Sequence, residues 1–248
     1  MTIAIVAAMP EEIAPLRARL LGATRSQHGA LTVERGRLGG HEVALAATGD
    51  GARNARAGIA ALLAASGARA LVVVGVSGAL SPALATADLI VAGRVTDEDG
   101  RAHEADAAQV EATARATGGR RAVILSARKI VDTAAEKRRL QAQVGDGLAV
   151  VDLESASYVA AAAAAGIPWI VLRAVSDTAD ETLPPLLNRS LDAGGAVSRG
   201  RVLRGLIGDP GALPTLLALR KRVGRCAEVL ARAAEAALPT CASVRGAA

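Results

Sequence analysis

Apolar residues in this chain fall into short unbroken runs, separated by stretches in which they recur at helical spacing. Met1–Ala8, Ala70–Val74, Asp88–Val95, Ala122–Ser126, Leu148–Asp152 and Trp169–Val175 are such runs, rich in Val, Ile, Leu and Ala. Runs of that kind read as strands buried on both faces, as in a parallel sheet. Leu31–Leu38 and Glu42–Ala47 read instead as an antiparallel pair joined across Gly39-Gly40. Helices are predicted from Pro10 to about Leu21, from the glycine-rich stretch after Thr48, after Thr133, and over Ser155–Ala165. Strands alternating with helices predict an α/β domain.

The stretch Val150–Asp180 organises the rest. It parses as a strand end, a helix stopped at Gly166 and Pro168, and a second strand. A strand, a crossover helix and another strand predict a parallel pair with both carboxyl ends on one edge. Glu154 leaves the first of these strands, while Ser176 and Asp177 leave the second. Ligands of open α/β sheets sit at that edge. Arg173 interrupts an apolar strand just before it, which is costly unless the charge is paired or used.

Composition narrows the core and the setting. Hydrophobic residues are 51% of the 248, with one Trp, one Tyr and no Phe, so the core is built of small aliphatics. Cys226 and Cys241 have neither metal spacing nor a disulfide framework, and His103 has no second His or Cys spaced to help it. No metal and no cofactor are expected. The N-terminus reaches Glu11 and Glu12 without a basic segment, so a signal peptide is not expected, and a reducing cytoplasm fits. The near-uncharged runs at 70–87 and 155–172 contain glycine and proline breaks and read as buried elements rather than membrane spans.

Three further stretches carry candidate chemistry. Met9-Pro-Glu-Glu-Ile13 follows the first strand, with Glu11 and Glu12 at the favourable dipole end of a helix. Thr48-Gly-Asp-Gly-Ala-Arg-Asn-Ala-Arg56 is a glycine-rich loop opening a helix. Its backbone N–H groups suit a sugar or an anion, with Arg53 and Arg56 adding charge. Lys129-Ile-Val-Asp-Thr133 leads into a helix capped by Asp132 or Thr133.

Val-Asp-Leu-Glu-Ser, followed some twenty residues later by Arg-Ala-Val-Ser-Asp, closely resembles the signature of the nucleoside phosphorylase and nucleosidase superfamily. The resemblance covers about residues 2–180. It implies a single-domain three-layer fold with a central mixed, mostly parallel twisted sheet flanked by helices, usually in a homodimer. It also implies that Glu154 holds the ribose hydroxyls, that Asp177 protonates the leaving purine, and that Arg173 orients Asp177 or the nucleophile. A catalytic acid of this kind works from a partly desolvated site. Ala-Met-Pro-Glu-Glu-Ile resembles the hydrolytic nucleosidases, in which the Glu matching Glu12 activates water. Met9, Gly49, Val76, Ser77, Gly78, Ile130, Val131, Leu153 and Ser176 fall on the family's substrate-binding positions. Two departures stand out: Val76 occupies the place of the family's serine, with Ser77 one residue later, and Ile130 and Val131 replace an aromatic that stacks on the base.

Water and phosphate remain rival nucleophiles. Glu12 repels phosphate, and Met9–Ile13 and Val73 stand where hexameric phosphorylases carry arginines, which favours hydrolysis. Arg53 and Arg56 are the candidate phosphate contacts. Beyond Asp180 the chain continues where ordinary nucleosidases end. With the upstream Val131-Asp-Thr-Ala-Ala-Glu-Lys-Arg, that ending resembles a hopanoid-associated branch. The branch is named for phosphorolysis and is implied to release adenine from adenosylhopane.

Charge sets the tail apart. From Arg199 onward there are nine Lys or Arg against three acids, a net of +6 within the overall +5, so the first 198 residues sum to about −1. We expect residues 1–198 to form the catalytic domain and 199–248 a basic, amphipathic helical extension packed on it. Its helix, Leu213 to about Ala237, is expected to place Leu213, Leu216, Leu217, Val223, Leu230 and Ala234 on one face. Such a helix either covers the sheet or rests on the inner face of an anionic membrane, where a lipid-linked nucleoside would lie. A methylthioadenosine or adenosylhomocysteine nucleosidase, and a non-enzymatic nucleoside-binding module at the membrane surface, are the alternatives. Nucleic acid is not an expected partner, since the basic residues lack interleaved aromatics.

Overall fold

The computed structural model describes residues 1–190, 211 and 213–243. Its strands are β1 (Ile3–Ala7), β2 (Leu21–His28), β3 (Leu31–Leu38), β4 (His41–Ala47), β5 (Ala70–Ala79), β6 (Leu89–Asp97), β7 (Ala102–Glu104), β8 (Arg120–Ser126), β9 (Ala149–Asp152) and β10 (Trp169–Asp177). The helices are α1 (Pro10–Ala18), α2 (Ala52–Ser66), α3 (Ala107–Thr117), α4 (Ala134–Val144), α5 (Ser155–Ala164), α6 (Leu186–Arg189) and α7 (Leu213–Ser243). The expected boundary at 198/199 and the start of the tail lie outside the described residues.

Strand alternation builds three layers. On β1, Ile3, Ile5 and Ala7 face a core shared with Ile13 and Leu16 of α1, Val110 of α3 and Leu230 of α7. Ala4 and Val6 face the other way, toward Ala55, Ile59 and Leu62 of α2 and Tyr158 and Val159 of α5. Both faces are apolar, as a covered sheet requires. A third, smaller cluster joins Leu140 of α4 to Leu80, Leu125 and Val151.

The sheet is mixed and closes on itself. β5 pairs in parallel with β1 and β10, β10 pairs antiparallel with β6, and β8 joins β6 to β9 in parallel. β9 then returns to β5, antiparallel, at Gly78 and Ala79. Beyond β1 the sheet continues through β4, β3 and β2.

This closure corrects the expected β9–β10 pair. β5 runs parallel to β10 but antiparallel to β9, so β9 and β10 run in opposite senses and are not neighbours. Their ends meet through Gly78 instead, the register partner of both Asp177 and Val151. A β-carbon at Gly78 would stand 2.9 Å from Asp177 Oδ2 and 3.4 Å from Val151 Cγ1. The crossover expectation presumed neighbouring strands of one open sheet, and β5 lies between these two.

Two more elements differ from expectation. Helix α1 stops at Ala18, and Leu21–His28 is a strand, β2. Its polar, mostly exposed residues hid it; its antiparallel ladder with β3 holds it. In α7 the buried stripe is Cys226, Leu230, Ala231, Ala234, Ala237, Leu238 and Cys241, while Leu213 and Leu217 are 46% and 55% exposed. Its C-terminal half therefore covers the sheet, and its N-terminal leucines do not join that face. No helix among the described residues is long and apolar enough to cross a membrane.

Candidate active site

Glu12 is placed by a helix start. Met9 is the extended N-cap of α1 and Pro10 fills the first turn, where no N–H is missed. From the third helical position Glu12 reaches back, and its Oε2 accepts the Met9 N–H at 2.8 Å. Its Oε1 accepts the Val76 N–H of β5, also at 2.8 Å. Glu12 thus caps its helix and lines a pocket at once. Burial pushes its pKa up, opposed by the Arg173 charge and the two backbone N–H groups.

Arg173 lies beneath the pocket, 1% exposed. Its Nη2 is 2.5 Å from Asp152 Oδ2, and its Nε and Nη2 donate to Ser155 Oγ at 3.2 and 2.8 Å. Ser126 Oγ donates to the other Asp152 oxygen at 2.6 Å. Burial alone would lower the guanidinium pKa, but Asp152, Glu12 and Glu154 together raise it. The cation is fixed and its apolar strand is explained.

Glu154 follows β9 at the N-cap position of α5 without capping it. Its Oε1 accepts the Gly51 N–H at 2.7 Å, so the glycine-rich loop turns a backbone donor onto this carboxylate. The loop is held by Thr48 Oγ1, 2.6 Å from the hydroxyl of buried Tyr158. Positive φ at Gly49 and Gly51 gives the loop its turn. Burial first, and then the Asp152 charge, push Glu154 up to about 8, with Arg173 and the Gly51 N–H opposing.

Asp177 ends β10 and is held on both oxygens. Ser176 Oγ donates to its Oδ1 at 2.6 Å, and Lys137 Nζ to its Oδ2 at 2.6 Å. Lys137 was not among the expected site residues. It sits in Glu-Lys-Arg-Arg, which reads as a solvated run, although its spacing of three from buried Leu140 puts both on one helix face.

These groups meet in a cavity of about 200 Å³. Met9, Glu12, Val76, Ser77, Gly78, Ile130, Val131, Leu153, Glu154, Ser176 and Asp177 all line it. Gly49 does not, though its neighbour Asp50 does. Arg53 and Arg56 are exposed and outside the lining; Arg56 borders a separate cleft with Arg128 and His103. Sequence reasoning missed Asp50, Leu183, Leu187, Leu219 and Val223, and Ala8, Lys129, Val151 and Asp152 complete the wall. Ser77 lines this cavity, and its buried Oγ has no hydrogen-bond partner among the described residues. Asn188 Nδ2 ties Ile130 O and Asp132 Oδ2 together at 2.7 and 2.8 Å, which pins the loop carrying Ile130 and Val131.

Residues 2–196 match the model of a family described as the phosphorylase superfamily. The chain belongs to that superfamily. A Mycobacterium tuberculosis 5′-methylthioadenosine/S-adenosylhomocysteine nucleosidase is 30% identical, aligned over 72% of this chain and 86% of its own. The Streptococcus pyogenes S-adenosylhomocysteine nucleosidase structure superposes with a TM-score of 0.72 at 26% identity, covering 95% of this chain and 96% of its own. That of the Colwellia psychrerythraea nucleosidase, bound to adenine, reaches 0.78 at 18% identity over 97% and 96%. The expected superfamily and fold are therefore those of the chain.

Proposed function

We propose that this superfamily enzyme hydrolyses the N-glycosidic bond of a 5′-substituted adenosine and releases adenine. The observation that carries the reading is the acidic lining of the cavity. Four buried acidic residues, Glu12, Asp152, Glu154 and Asp177, line it, and Arg173 and Lys137, the buried cations among the described residues, are each paired with one of them. Lys129 at the rim lies 3.1 Å from Glu136. Phosphate carries about two negative charges and binds best in arginine forks, which this cavity does not offer. A cationic ribose ring, as forms when the bond breaks, is welcome there.

In this reading Glu12 takes a proton from the water that adds to C1′, Glu154 grips the ribose hydroxyls, and Asp177 protonates the departing base. Arg173 opposes the rise in pKa that burial causes at both Glu12 and Glu154. Ile130, Val131 and Leu153 give the base apolar contact.

The aliphatic part of the lining supports a finer reading of the substrate. Leu183, Leu187, Leu219 and Val223 add aliphatic groups to the cavity wall, and α7 carries Leu219 and Val223 there. Upstream on the same helix Leu213 and Leu217 are exposed, with Arg220, Lys221 and Arg225 exposed nearby. Together these support a large apolar 5′ substituent, as in adenosylhopane, taken from the inner membrane face; the homodimer is proposed on the family resemblance alone. A small thioether substituent is the second reading, favoured by the names of the nucleosidase relatives. Adenine release from adenosylhopane, methylthioadenosine and adenosylhomocysteine, each with and without phosphate, tests all of this. Release that requires phosphate would overturn the proposal, and preference for a thioether would select the second reading.

A further inference from the structure

We infer that Lys137 is a positioning residue that fits Asp177 to protonate a purine leaving group. The inference rests on the reading of Asp177 as the acid. Lys137 is fully buried. Its ammonium has three N–H donors, and all three are used: on Asp177 Oδ2 at 2.6 Å, Thr178 O at 2.7 Å and Glu181 O at 3.0 Å. One side chain from α4 therefore holds both the carboxylate and the turn that follows it. With Ser176 Oγ on Oδ1, neither carboxylate oxygen is left to swing.

A buried ammonium is an expensive way to fix a strand end, because it must be desolvated and a packed aliphatic often serves as well. It becomes intelligible where negative charge must appear. As the C1′–N bond breaks, its electron pair moves onto the purine and the Asp177 proton follows to a ring nitrogen. The hydroxyl of water ends on C1′ and its other proton on Glu12. Asp177 is left as a carboxylate facing Lys137, a preorganised cation that needs no movement to stabilise it. Lys137 lies outside the cavity lining and touches no substrate atom.

A base that departs without needing a proton should not depend on this arrangement. 7-Methyladenosine is such a probe, since its base is already cationic. The test compares adenosine and 7-methyladenosine cleavage by the wild type, Lys137→Met, Lys137→Arg and Asp177→Asn, with unfolding midpoints for each. We expect Lys137→Met to lower kcat on adenosine by ~10²-fold with KM nearly unchanged, and to lower cleavage of 7-methyladenosine by less than ~3-fold. Lys137→Arg, which restores the charge, should recover part of the loss. Equal losses on both substrates, or no loss on either, would overturn the inference. If Lys137→Met does not fold, the same ratio measured on Lys137→Arg decides: a selective loss on adenosine supports the inference and equal rates oppose it. Asp177→Asn separates the two levels. Should it keep full adenosine cleavage, the acid assignment itself fails; should it lose adenosine cleavage while both Lys137 variants keep it, only the role of Lys137 fails.

Discussion

Gly75 and Arg173 are register partners on β5 and β10, and the guanidinium lies in the space that a side chain at Gly75 would need. A β-carbon there would stand 1.8 Å from Arg173 Nη1 and 3.0 Å from Glu12 Oε1. The glycine is thus required by a charge, since its own backbone is ordinary strand. Gly75→Ala should displace Arg173 from Asp152 and lower stability by about 1–3 kcal/mol, the usual cost of overpacking. Activity should fall with it. Denaturant unfolding beside a rate assay checks both, and an unchanged midpoint would mean that Arg173 has room to move.

Ser77→Ala should separate stability from binding. The buried hydroxyl has no partner among the described residues, so removing it should leave stability unchanged or raise it by about 1 kcal/mol. If Ser77 meets the substrate, KM should rise several-fold with the unfolding midpoint intact. A fall in stability with unchanged KM would give Ser77 a purely structural place.

Glu154 gives the protein a stability that depends on pH. Its native pKa lies near 8 against an ordinary value of 4.5, so between those limits the folded state holds a proton that the unfolded state has lost. Stability then falls as pH rises through that window, by at most about 1.4 kcal/mol per pH unit for one group. Glu154→Gln removes the titration. The wild type should therefore lose stability relative to this variant between pH 5 and pH 8 in unfolding titrations. Parallel curves would mean that Glu154 is ionised throughout.

The basic face of α7 predicts salt-sensitive membrane binding through three exposed charges. Arg220, Lys221 and Arg225 are exposed, but both Nη atoms of Arg222 pair with Glu181 at 2.6 Å. At roughly 1 kcal/mol per basic residue, sedimentation with anionic vesicles should occur at low salt and vanish at high salt. Changing the three exposed residues to Gln should abolish it and spare cleavage of small adenosines. A wild type that ignores such vesicles would leave α7 as a cover for the sheet.

How much the chain declares in advance differs from element to element. The buried strands were legible because double-sided burial leaves continuous aliphatic runs, and most of the pocket residues were legible because motifs sit at the strand ends. β2 was not, because its residues are polar and mostly exposed, and only pairing with β3 makes them a strand. The opposed directions of β9 and β10 were hidden because ring closure through Gly78 is a long-range event. Lys137 was hidden by its charged neighbours. Leu219 and Val223 were read as part of a tail, since nothing local says that a helix so distant in sequence returns to the pocket mouth.

Glu12→Gln addresses the base directly. The amide keeps the shape and one of the two backbone contacts but cannot take a proton from water. Base release should slow by ~10²–10⁴-fold in a folded protein. Retained hydrolysis would move the base elsewhere.

The central claim is that water attacks C1′, and the sugar product records it. Wild-type enzyme should be run on its best adenosine substrate in ¹⁸O-water with millimolar phosphate present, and the sugar analysed by mass spectrometry. The account predicts a free sugar carrying one ¹⁸O at C1′ and the same rate when phosphate is left out. A sugar 1-phosphate without the label would contradict it.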